Sequence, residues 1–158
     1  PRQLCEARVH GADGALLIVR MLERSRLLEM LDCAAELGLF VLLEAFDAAD
    51  VAVAHELVHA WRGRAADCLV GVNSRNLQTL QVVPDSLDSL ARTLPARFPR
   101  VAESGLAAPG DAARLARAGY TMALVGTALM STDDPAALAR AMIAAGRAAA
   151  ATSRAALA

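Results

Sequence analysis

The sequence contains no lysine. All 16 of its Lys-plus-Arg positions are arginine, so no Schiff base and no lysine general acid can come from this chain. An excess of one charge sign is absent too: 16 basic residues stand against 17 acidic ones. That balance excludes a nucleic-acid partner or a polybasic membrane partner recruited by charge alone. No apolar run approaches ~18 residues, so no membrane span is expected. Cysteine is limited to Cys5, Cys33 and Cys68, an odd number far apart in apolar contexts. They read as buried free thiols of a reducing cytosol, which places the protein in the cytoplasm. A metal site would need closely spaced Cys or His ligands, and none occurs. His55 and His59 are four apart on an expected helix, with no further ligand beside them, and read as a solvated face. The chain opens on Pro1, not Met, and shows no signal-peptide pattern. This leads us to expect a piece of a longer chain.

What is present is alternation. The 158 residues suffice for one domain with one core. Continuous apolar runs at 15–19, 40–43, 69–73, 100–102 and 122–125 predict strands buried on both faces. Stripes at helical spacing lie between them: Leu27, Leu28, Leu31, Ala34; then Ala54, Leu57, Val58, Trp61; then Leu87, Leu90, Ala91, Leu94; then Ala112, Leu115, Ala116. A short helix over 2–10 precedes the first strand. A last one is capped by Asp133 or Asp134, with Pro135 near its start. Five strands recur at roughly 22–31 residues, the range of βα units. The fold class is therefore α/β, either an open doubly wound sheet or part of a (β/α)8 barrel. A whole barrel takes ~200 residues and eight strands, more than this chain supplies. Residues 1–146 form the domain, and the alanine-rich residues 147–158 are expected to be a fraying tail.

Four of the strands run into chemistry. They deliver Glu44; Asn73 with Arg75, inside Gly71-Val72-Asn73-Ser74-Arg75-Asn76-Leu77; Glu103 with Ser104 and Gly105; and Gly126 with Thr127. Taken singly, each can be a surface carboxylate, a turn or a helix cap. Together they occupy the strand ends where α/β folds carry their active sites. Asn offers a donor and an acceptor, and Arg a planar fork for a carboxylate or phosphate. Ser-Gly after one strand and Gly-Thr after the next present backbone N–H groups suited to a phosphate. Barrels commonly bind phosphate after strands 7 and 8, which would make these five strands 4 to 8.

With these residues in place, the chain resembles the C-terminal part of the indole-3-glycerol phosphate synthase family, a (β/α)8 barrel of tryptophan biosynthesis. The similar segments are Gln3 to Arg8 with Gly11-Ala12-Asp13, Leu16 to Val19, Leu42-Leu43-Glu44 with Asp47, Gly71 to Leu77, Ala102 to Gly105, and Leu124 to Met130. The resemblance implies a carboxy-lyase that closes the ring of 1-(2-carboxyphenylamino)-1-deoxyribulose 5-phosphate. The products are indole-3-glycerol phosphate, carbon dioxide and water, with no metal and no organic cofactor. It implies catalytic roles for Glu44, Asn73 and Glu103, with Glu44 acting in dehydration and Glu103 orienting the family's catalytic lysine. Arg75 and Ser104 would bind substrate, and Ser104, Gly105, Gly126 and Thr127 its phosphate. The family's lysine general acid ends strand 3, and a second lysine and a glutamate sit on strand 1; this chain has none of these. The isolated chain is thus expected to be inactive and to self-associate through open strand edges. Two other readings are a non-catalytic phosphate-binding half-barrel and a different phosphate-binding barrel such as a sugar-phosphate isomerase. The latter would share the Gly-Thr loop but not Asn-Ser-Arg-Asn-Leu with Glu44.

Overall fold

Each apolar run becomes a strand and each stripe a helix, in the expected order. The computed structural model describes residues 1–61, 67–83 and 85–155. Helix α1 (Arg2–Val9) leads into β1 (Gly14–Ile18), a single 3-10 turn (Val19–Met21) and α2 (Arg24–Glu36). Then come β2 (Phe40–Ala45), α3 (Ala48–Ala60), β3 (Cys68–Asn73) and the short α4 (Ser86–Leu90). The chain continues through β4 (Arg100–Glu103), α5 (Pro109–Ala118), β5 (Met122–Leu124), α6 (Thr127–Met130) and α7 (Pro135–Ala155). The strands lie in the sheet in sequence order, β1-β2-β3-β4-β5, and the paired strands are parallel. Sequential order without a switch point is what successive βα units of a barrel give, and a doubly wound sheet would reverse direction.

By its contacts the chain divides into two compact units, Pro1–Val72 with Thr93–Arg100, and Asn73–Arg92 with Val101–Ala158. In the first unit Leu17, Leu43 and Val70 are level across three strands, and all are buried. This row faces α2 and α3, whose Leu27, Leu31, Val51, Ala54 and Leu57 are also buried. One residue back, Leu16 and Leu42 point to the other face, because side chains alternate along a strand. That face is partly open: Leu16 and Phe40 are each 44% exposed. Cys68 is fully buried, and desolvation pushes its thiol up to about 12. Cys5, expected to be buried, is exposed instead, because it lies on the outer side of the amphipathic α1, whose buried residue is Leu4.

In the second unit α5 and α7 pack on each other, and Leu115 and Met142 are buried. Asp111 closes the start of α5 by accepting from the Ala107 and Ala108 N–H groups, both at 3.0 Å. Asp134 caps α7, accepting from Ala137 N–H at 2.8 Å. The alanine-rich stretch does not fray: α7 is helical through Ala155, with Ala149 buried. Alanine is the best helix former, so a run of it extends a helix that packing has already nucleated. Residues 156–158 of the expected tail lie outside the described residues.

Candidate functional site

The first unit supplies one candidate. Glu44 is the penultimate residue of β2 and is only 5% exposed. It lies level with Ile18 of β1 and Gly71 of β3. It therefore shares the partly open face with Leu42 and Phe40, two and four residues behind on the same strand, and with Leu16, level with Leu42 on β1. The turn after it is pinned. Phe46 N–H donates to Asp50 Oδ2 at 2.8 Å, and Asp50 is itself buried on α3. Arg20, in the turn after β1, donates to Asp50 through Nε at 2.8 Å and Nη2 at 2.6 Å, and to Asp47 at 2.5 Å. Its guanidinium also lies 4.9 Å over the Phe46 ring. The hydrogen bond to Asp50 holds the Arg20 guanidinium above its usual range. Asp47 caps α3, accepting from Ala49 and Asp50 N–H at 2.9 and 3.0 Å. The bond from the Asp50 N–H, with Arg20 beside it, holds the Asp47 carboxyl below the usual carboxylate range. Sequence reasoning did not find Arg20 or Asp50; Asp47 stood only as a matching residue.

The second unit supplies the rest and brings two of the expected clusters together. The Asn73 side chain accepts from Arg75 N–H at 2.9 Å, a local turn of the kind asparagine favours. From there the chain makes a hairpin that the sequence did not announce. Arg75 bridges Val82 antiparallel, Asn76 N–H donates to Gln81 O at 2.9 Å, and the Asn76 side chain accepts from Gln78 and Thr79 N–H. Arg75 Nη1 donates to Leu80 O at 2.6 Å, so part of its fork is spent holding the hairpin. The Asn73–Arg75 tip is joined to the Glu103–Gly105 turn through Ser74, whose N–H and Oγ both donate to Glu103 O, at 2.9 and 3.2 Å. Glu103 is 3% exposed at the end of β4. Ser104 and Gly105 follow it with φ of 67° and 77°, two left-handed residues in a row.

Gly126 and Thr127 follow β5 and open the four-residue α6. The unit also holds an open apolar groove of about 1030 Å³ lined by Leu115, Tyr120, Met122, Leu124, Met142 and Ile143. None of the candidate residues lines it, so the groove is packing surface and not the site. His55 is accounted for structurally, since Nε2 donates to Thr93 O at 2.6 Å. Among the described residues no cluster of His, Cys, Asp and Glu could hold a metal ion, and no helix is long and apolar enough to cross a membrane.

Comparison with known proteins bears on this arrangement. Indole-3-glycerol phosphate synthase of Mycobacterium leprae is 40% identical over 146 residues, which cover 92% of this chain and 51% of that protein. The synthase of Mycobacterium avium is 41% identical, with the same coverage of both chains. The chain thus spans about half the length of the curated relatives it matches. Among solved structures, thiamine phosphate pyrophosphorylase from Pyrococcus furiosus superposes with a TM-score of 0.65 at 16% identity, over 92% of this chain and 65% of that one. That likeness speaks to the fold alone. The family model described as indole-3-glycerol phosphate synthase matches residues 1–142. The fold is accordingly α/β, the run of strands and helices that makes up about half of a (β/α)8 barrel. The chain belongs to the indole-3-glycerol phosphate synthase family.

Proposed function

We propose that this chain is the strand-4-to-8 portion of an indole-3-glycerol phosphate synthase, a carboxy-lyase of tryptophan biosynthesis at work in the cytoplasm. The observation that carries the reading is the joining of Asn73-Ser74-Arg75 to Glu103-Ser104-Gly105 in a chain of this family. The substrate is 1-(2-carboxyphenylamino)-1-deoxyribulose 5-phosphate. Its aryl ring carbon attacks the ketose carbonyl, the aryl carboxylate leaves as carbon dioxide, and loss of water completes the indole. Each step moves protons, which calls for placed acids and bases. Glu44 serves the dehydration, and Glu103 orients the general acid and the substrate hydroxyls. Asn73 supports the same catalytic cluster. Arg75 keeps donors beyond the one given to Leu80 and meets the carboxylate or nearby hydroxyls. Ser104, Gly105, Gly126 and Thr127 take the phosphate through N–H and hydroxyl groups.

The chain contributes no lysine, so the general acid of the family has to come from a segment outside these 158 residues. Alone, the chain is inactive. Joined to the lysine-bearing amino-terminal half of a relative, it converts the substrate to an indole product, which fluorescence follows directly. A joined protein that is folded and yet silent would reject the reading in favour of a phosphate-binding module without catalysis.

The isolated chain also self-associates. The sheet order makes β1 and β5 its edges, and both carry exposed apolar side chains: Leu16 on one, Met122 at 50% and Leu124 at 49% on the other. Open edges of this kind recruit further strands. Light scattering is expected to give a mass above that of one chain, and a monomer that persists at high concentration would count against it.

A further inference from the structure

We infer that Ser74 is a positioning residue that holds the Glu103-Ser104-Gly105 turn in its anion-binding conformation. The inference rests on the phosphate reading above and adds a residue to it that acts through the turn. Ser74 is 3% exposed and sits where three segments meet. Its own N–H and Oγ both donate to Glu103 O, and its carbonyl accepts from Val83 N–H at 2.7 Å on the returning arm of the hairpin. Its neighbours in sequence, Asn73 and Arg75, are the polar groups of the β3 tip.

The chemistry of the turn explains why such a clamp is needed. A trans peptide is planar, with its C=O and N–H opposed, so fixing the Glu103 carbonyl fixes the direction of the Ser104 N–H. Ser104 then adopts a φ of 67°, a conformation that a residue with a Cβ holds only when its surroundings impose it. Gly105 follows at φ 77°, and a Cβ there would come 3.0 Å from Ser74 Oγ and 3.1 Å from Val82 Cγ1. The hydroxyl of Ser74 therefore both ties the turn down and fills the space against which Gly105 packs. Without it, Glu103 O keeps one donor from Ser74, and the two left-handed residues lose their support. The N–H groups would then have to be ordered by the ligand itself, which lowers affinity.

The test uses the 158-residue chain with inorganic phosphate as the probe. Phosphate affinity and amide hydrogen exchange at Ser104 and Gly105 are measured together. Ser74→Ala is expected to weaken phosphate binding about three- to tenfold, the net worth of one hydrogen bond. It should also speed exchange at Gly105 while leaving the strands β1 and β2 protected. Ser74→Thr, which keeps the hydroxyl, restores affinity. Gly105→Ala weakens binding as well, and adding it to Ser74→Ala costs less than the two single effects combined, because the Oγ contact is already gone. Ser74→Ala with unchanged exchange and unchanged affinity overturns the role of Ser74 and leaves the phosphate site standing. Strict additivity of the two substitutions also overturns it, and if Ser74→Ala folds poorly, unchanged affinity with unchanged exchange in Gly105→Ala alone overturns it instead. A wild-type chain that fails to bind phosphate overturns the phosphate reading, and the inference with it.

Discussion

Glu44→Gln is expected to lower kcat of the joined protein by about 10²–10⁴-fold, the usual worth of a placed general acid or base. KM should change far less. Glu44 is a carboxylate at 5% exposure, at the end of a strand whose other residues on that face are leucine and phenylalanine. A carboxylate is seldom buried this far, and that sets Glu44 apart from its apolar neighbours on the strand. Glutamine keeps the volume and can still hydrogen-bond, but it cannot pass a proton. The strand should survive the change, because Leu43 and Ala45 on either side are fully buried and anchor it. A circular dichroism melt that matches the wild type would establish this. The loss should fall on kcat because proton transfer belongs to the reacting complex and not to substrate capture. A kcat within threefold of wild type would remove Glu44 from the chemistry and leave it a buried structural acid.

The sequence made the strand–helix alternation legible because each strand is a short apolar run and each helix shows a stripe, although β5 and one face of β1 are exposed where such runs predict burial on both faces. Val41, Leu43, Val70 and Val72 are buried as their runs imply. It also made the strand-end residues legible, since a polar group at the tip of an apolar run stands out. It hid contacts that depend on distance along the chain. The Arg20–Asp50 pair joins residues 30 apart, and Ser74 meets the Glu103 carbonyl 29 residues on. No local pattern encodes either. The hairpin after Asn73 was hidden for a different reason. Leu80, in the turn of that hairpin, adopts φ of 59°, the conformation that glycine would have signalled, without a glycine there. The alanine-rich end is helical through Ala155 where its low complexity predicts fraying, because alanine on a packed helix is favourable.

Asp50→Ala is expected to destabilise the fold by about 2–4 kcal/mol, near the lower end for breaking a buried ion pair because Arg20 keeps some access to water. Asp50 receives the Phe46 N–H and the Arg20 guanidinium together, so its loss leaves one half-buried N–H without its acceptor and one arginine without its main anchor. Urea unfolding should show a lower midpoint with an unchanged slope. Asp50→Asn, which can still accept from Phe46, should recover part of the loss. The acid limb of stability has a sign fixed by Asp47. Its folded carboxyl is held below the usual value by the Asp50 N–H and by Arg20. The stabilisation is therefore fully present above the unfolded value of 3.8 and disappears as pH falls through the lower folded value. Asp47→Asn should flatten stability against pH in that acid window and leave the slope at neutral pH as it was. If Asp50→Ala shifted the urea midpoint by less than the equivalent of ~0.5 kcal/mol, the typical size of a surface change, Arg20 and Asp50 would be a surface pair and not the fastening of the turn behind Glu44.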